Sequence, residues 1–157
     1  MRATENPEPV ESEPVVAEPV TPVVADDAPK HQADLDDDAA MGFRIIRAGD
    51  LDVMGIDAAV DVIRRRVGDE PVYLSVDIDV LDPAFAPGTG TPESGGLTAR
   101  ELLRMLRRLT GLNLVGADVV EVAPAYDHAE ITSIAAATVV FDMVGLMVAR
   151  TVQPSPH

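Results

Sequence analysis

The chain has 157 residues, which at roughly 100 to 200 residues per domain leaves room for one compact unit and excludes a large multidomain enzyme. Apolar types make up 46% of it, yet aromatic residues only 3%, so any core must be aliphatic. The formal charge of −15 disfavours nucleic acid and anionic membrane surfaces as partners, and the lack of cysteine excludes disulfides, thiolate metal sites and a catalytic thiol, which suits a cytoplasmic protein.

Residues 1–40 carry eleven acids, two bases and six prolines, with near-repeats of Glu-Pro-Val at Glu8, Glu13 and Glu18. Proline at this density favours extended, solvated chain, so this stretch reads as a disordered acidic leader with no secretory signal. The globular part spans 41–150, and 151–157 reads as a flexible tail. Phe43 to Arg47 is a short apolar strand candidate. Ile56, Ala59, Val60, Ile63 and Val67 then recur at helical spacing. Val72 to Val76 suits a parallel strand covered on both faces. Thr98 and Glu101 form a capping box, Leu97 and Leu102 occupy staple positions, and Leu102, Leu106 and Leu109 make an apolar stripe that Gly111 ends. Leu114 to Val122 is a third strand candidate. Thr132 or Ser133 can cap a last helix that is apolar nearly all round and reads as buried, not membrane-spanning, because Asp142 interrupts it. The alternating order implies a parallel sheet with helices packed on it.

The densest chemical signal is Ser75-Val-Asp-Ile-Asp-Val-Leu-Asp-Pro83, where the second strand candidate ends. Residues two apart on a strand face the same side, so Asp77 and Asp79 point together while Ile78 and Val80 point away. Two carboxylates so placed repel each other and lose solvation, and a divalent cation between them is the simplest remedy. The carboxyl edge of an open α/β sheet is also where ligands bind. Asp82, before Pro83, reads as a turn residue. The loop Pro87 to Gly96 is rich in glycine, but a phosphate loop needs a lysine, and the chain's only one is Lys30. Glu121 ends the third strand candidate, so neighbouring strands would bring it to the same rim, where it could hold a cationic group. His128 could ligate a metal but reads as a polar loop residue.

Residues from about Leu35 to Arg150 resemble the C-terminal half of the ureohydrolases, the arginase and agmatinase family, and look most like bacterial agmatinases. The motif from Ser75 to Gly96 is similar to a family signature, and Asp118 to Thr138 is similar to the stretch that follows. The resemblance implies a three-layer α/β/α parallel sheet of the arginase type, C-terminal half only, with a binuclear manganese site at its rim. By that resemblance Asp77 matches a carboxylate bridging two metals, Asp79 one binding a single metal, and Glu121 the carboxylate near the substrate guanidinium. The implied reaction is hydrolysis of a guanidino carbon–nitrogen bond by water that the cations activate, giving urea and an amine; from agmatine the amine is putrescine.

The family's earlier motifs, Gly-Gly-Asp-His and Asp-x-His-x-Asp, are not in this sequence, and His31 does not fit them. The expectation is a truncated agmatinase-like hydrolase of doubtful activity alone; the alternative is a catalytically dead remnant or an accessory chain of an intact ureohydrolase. Half a parallel sheet exposes an unpaired edge and apolar faces, so marginal stability or homo-oligomeric self-association is expected. A phosphatase of the haloacid dehalogenase type and a response-regulator receiver both fail for want of the downstream basic residue, commonly a lysine.

Overall fold

A computed structural model describes residues 36, 37 and 40–152, so most of the expected leader and residues 153–157 lie outside the described part. The order of main elements is α1 (Ala48–Val67), β1 (Val72–Asp77), α2 (Ala99–Arg108), β2 (Leu114–Val120) and α3 (Ile131–Val152). Short 3-10 helices, Ile78–Val80 and Pro124–Tyr126, follow the two strands. The last helix therefore runs two residues into the expected tail.

The expected strand from Phe43 to Arg47 shrinks to a single β-bridge at Arg47, and Phe43 to Ile46 forms no strand: an extended run needs a neighbour along its length to take its backbone hydrogen bonds, and the sheet of described strands consists of β1 and β2 alone. Ile46 is nevertheless buried and ties the segment to the core. Helix α1 starts earlier than its apolar stripe because Asp50 accepts the N–H of Arg47 at 3.0 Å, closing the first turn. Gly55, at φ +78°, kinks it, and the stripe beyond the kink buries Ala59, Val60 and Val67.

β1 and β2 pair in parallel, with the register slipping once, between Val72 and Tyr73, so that Tyr73 lies opposite Gly116 and Asp77 opposite Val120. One sheet face, with Leu74, Val76, Ala117 and Val119, packs on the core with Leu81, Leu106 and Val139. The other face is open among the described residues, contrary to the expectation of a strand covered on both sides: Tyr73 and Ser75 are exposed. Thus the described residues build the sheet and one helical layer of a three-layer α/β/α arrangement.

The α2 capping box forms as read: Thr98 Oγ1 accepts from Glu101 N at 3.2 Å while Glu101 accepts from Thr98 N at 2.9 Å. The helix stops at Arg108, with Leu109 as its C-cap, and Gly111 at φ +93° turns the chain afterwards instead of ending the helix. Arg64 then donates to the free carbonyls of Arg108 and Thr110, both at 3.0 Å. Ion pairs between Arg104 and Asp57 at 2.7 Å and between Arg107 and Asp142 at 2.8 Å tie α2 to its neighbours.

Helix α3 is not buried all round. Thr132, Ala136, Val139, Met143 and Leu146, at alternating spacings of four and three, face inward, whereas Phe141 stays 77% exposed. It is long and apolar enough to cross a membrane by length and composition, but its inward face packs on β2 and α2.

Candidate functional site at the carboxyl rim

Both strands end at one rim, and the two site motifs follow directly. β1 ends at Asp77, earlier than the sequence suggests, and Ile78–Val80 coils into a 3-10 turn with Asp77 as its N-cap. Ile78, wholly buried, draws the chain inward and makes the turn tighter than an extended strand allows. Asp77 and Asp79 therefore do not share a side by strand alternation. They meet across the turn: Asp79 donates its backbone N–H to Asp77 Oδ1 at 3.2 Å. Thr91, from the glycine-rich loop, donates its hydroxyl to Asp79 Oδ2 at 2.9 Å.

β2 ends at Val120, two residues short of the expected Val122, and Glu121 lies just beyond at φ +62°. Its reversed backbone takes it out of the strand's alternation. A methyl group built on Gly90 would stand 3.8 Å from Glu121 Oε2, so the same loop that holds Asp79 passes within contact of Glu121. Burial raises the pKa of Asp77, and the nearby charges of Asp79 and Glu121 raise it further, against the lowering effect of the Asp79 backbone hydrogen bond. Asp79 and Glu121 thus both lie within electrostatic reach of Asp77.

Asp82 acts as a turn residue. Its carboxylate accepts from Ala84 N at 2.8 Å and Gly95 N at 2.9 Å, and these backbone donors lower its pKa. His128 is exposed on the loop before α3.

The residues that lock the rim escape sequence reading. Thr132 does not cap α3 with its side chain; that hydroxyl accepts the N–H of Gly88 at 2.7 Å. Capping falls to Asp127, whose Oδ2 accepts from Thr132 N at 2.5 Å. Burial opposes the charge of Asp127, yet the hydrogen bonds from Thr132, Ala129 and Ile131 bring its pKa below the ordinary carboxylate value. Gly88 also accepts from Ala123 N at 2.8 Å, so the loop after β1, the loop after β2 and the start of α3 form one hydrogen-bonded unit. The available sequence signal is an Asp a few residues before an apolar helix, a common capping arrangement.

Hard oxygen donors close together, with a carboxylate that burial and like charge both disfavour, fit a divalent cation such as manganese in kind. The number of donors falls short: among the described residues no group of three or more His, Cys, Asp or Glu could hold a metal ion.

The sequence pattern of the Arginase family matches residues 24–145. This chain belongs to the arginase family. The agmatinase of Enterobacter sp. is 52% identical over 109 residues, 69% of this chain and 36% of its own length. The agmatinase of Proteus mirabilis is 52% identical over 113 residues, 72% of this chain and 37% of its own. Among solved structures, a hypothetical agmatinase from Burkholderia thailandensis superposes with a TM-score of 0.69 at 51% identity, covering 71% of this chain and 36% of that one. Proclavaminate amidino hydrolase from Streptomyces clavuligerus does so with 0.72 at 47%, covering 74% and 40%. This arginase-family chain has the arginase fold of these hydrolases, and it spans only 28% to 37% of the curated relatives' length, which fits a C-terminal portion.

Proposed function

We propose that this arginase-family chain supplies the carboxylate side of an agmatinase-like centre and does not complete that centre by itself. The meeting of Asp77 and Asp79 across the turn, with Glu121 just beyond β2 and within contact of the loop that holds Asp79, carries the reading. Asp77 and Asp79 would hold manganese, which when bound lowers the pKa of water and so provides hydroxide at neutral pH. Thr91 fixes the orientation of Asp79, and the Gly88, Asp127 and Thr132 unit holds the two loops in place. Glu121 would face the guanidinium of the substrate, whose positive charge suits an acidic rim. The overall reaction is hydrolysis of a guanidino compound such as agmatine to urea and an amine, in the cytoplasm.

The short donor set favours a second reading, in which the chain is a catalytically silent remnant or an accessory to an intact ureohydrolase. One experiment addresses both. The purified chain with added manganese is assayed for urea release from agmatine and guanidinobutyrate, with Asp77→Ala as control. No turnover is expected; turnover that disappears in Asp77→Ala would show the chain to be complete. Metal titration should show weak binding, weaker still in Asp77→Ala.

A further inference from the structure

Helices α2 and α3 and the loop after β1 enclose an apolar groove of about 260 Å³, with Phe85, Leu103, Ile131, Ile134 and Thr138 among its walls. Ile131 is 44% exposed and Ile134 62%, so the groove opens to solvent. Its α2 side is the basic part of an acidic molecule, because α2 carries Arg100, Arg104, Arg107 and Arg108 against Glu101 alone. Arg104 and Arg108 pair with Asp57, and Arg107 pairs with Asp142. Arg100, exposed between the groove residues Ala99 and Leu103, has no ion pair among the described residues. An apolar wall with an unmatched cation at its edge suits a chain that sets acids beside apolar residues.

We infer that a Glu-Pro-Val repeat from residues 7–23 of this same chain docks in the groove, with proline and valine between Leu103 and Ile134 and glutamate on Arg100. The three repeats, at Glu8, Glu13 and Glu18, supply that chemistry, and no basic residue lies between Ala3 and Pro29. They precede residue 24, where the match to the Arginase family begins, so the contact is no part of the shared pattern. Glu130, just before Ile131 on the α3 side, repels the acid of the repeat and so turns it toward α2. Reach is sufficient: the stretch from Thr21 to Leu35, extended at about 3.1 Å per residue, exceeds the roughly 35 Å width of a folded unit of this size. Tethering makes even a weak contact effective, and proline lowers the entropy lost on docking. A second copy would instead set its own Arg100 against this one. Phe85 lies in the loop that Asp82 pins, and Ile131 precedes Thr132, so a docked repeat braces the rim from outside. The inference does not depend on the proposed reaction.

The chain has no cysteine, so Ala17→Cys places a single nitroxide spin label between the second and third repeats of the full chain. The amide NMR signals of Leu103, Ile134 and Thr138 should broaden more than that of Val53, which is 90% exposed on α1. Arg100→Gln, and separately the triple change Glu8→Gln, Glu13→Gln and Glu18→Gln, should each cut the broadening roughly two- to fivefold, the effect of losing an exposed ion pair. Ile134→Asp should cut it at least about tenfold, because it sets a like charge in the groove. The triple variant alters nothing in the folded part, so its result stands even if a groove variant unfolds. Uniform broadening, broadening indifferent to the triple variant, or equal broadening when the label sits on a separate copy overturns the inference.

Discussion

Replacing Thr132 by valine removes one hydroxyl while preserving the side chain's shape, which takes away both the acceptor for Gly88 and the hydroxyl's bond to Asp127. Thr132 is wholly buried, so the change opens no route for water to the N–H of Gly88, which now donates to Thr132 Oγ1 at 2.7 Å. Leaving a buried donor without an acceptor costs about 1–3 kcal/mol. For a folded unit of about 110 residues, 1 kcal/mol corresponds to roughly 4 °C in Tm, so the variant should melt about 4–12 °C below the parent. Thr132→Ser keeps the acceptor and loses only a methyl group, a change of about 1 kcal/mol. The order of stability in thermal unfolding followed by circular dichroism should therefore be parent, then serine, then valine. Amide exchange at Gly88 should quicken in the valine variant alone. A valine variant as stable as the parent, or more stable than the serine variant, would refute the claim that this bond fastens the rim loops.

Thr98→Ala should cost about 0.5–2 kcal/mol by breaking the α2 capping box, read as a shifted urea midpoint with unchanged slope. Backbone donation from Thr98 lowers the pKa of Glu101, as backbone donors do for Asp82, so these acids stabilise the fold above their unfolded values of about 4 and lose that contribution as pH falls through their lower folded values. Acid titration of stability should show the loss, diminished in Glu101→Gln. Asp77 has the opposite sign. Its folded pKa is raised, so its contribution is present below the unfolded value and disappears as pH rises through the folded one, leaving the ionised group a burden at neutral pH. Asp77→Asn should accordingly raise the Tm of the metal-free chain at pH 7 while weakening manganese binding in calorimetric titration. Gly96→Ala should prevent soluble folding, because its Cβ would lie 2.5 Å from Asp82 N and 2.7 Å from Leu81 C, both backbone atoms that cannot swing aside; a soluble, cooperatively melting variant would contradict this.

Local signals survive translation into structure where they depend on neighbours in sequence. The Thr98 to Glu101 box, the Leu102 and Leu106 stripe and the order of strand, helix, strand follow from spacing alone. Signals that need distant partners do not. Phe43 to Ile46 is apolar enough for a strand, but pairing depends on another segment. Asp77 and Asp79 converge as their spacing suggests, though through a 3-10 turn that the burial of Ile78 imposes, and residue alternation cannot foresee that turn. The contact between Gly88 and Thr132 spans 44 residues, and no local pattern marks it. The outward face of α3 reads like the inward one, because hydropathy records what a side chain prefers and not what lies beside it.

Glu121 sits at φ +62°, where a side chain with a Cβ is strained by about 1–2 kcal/mol and glycine is not. Glycine at 121 would relax the backbone and remove the carboxylate in the same step. Glutamate at this bend therefore carries its carboxylate at a conformational cost that glycine would spare the backbone.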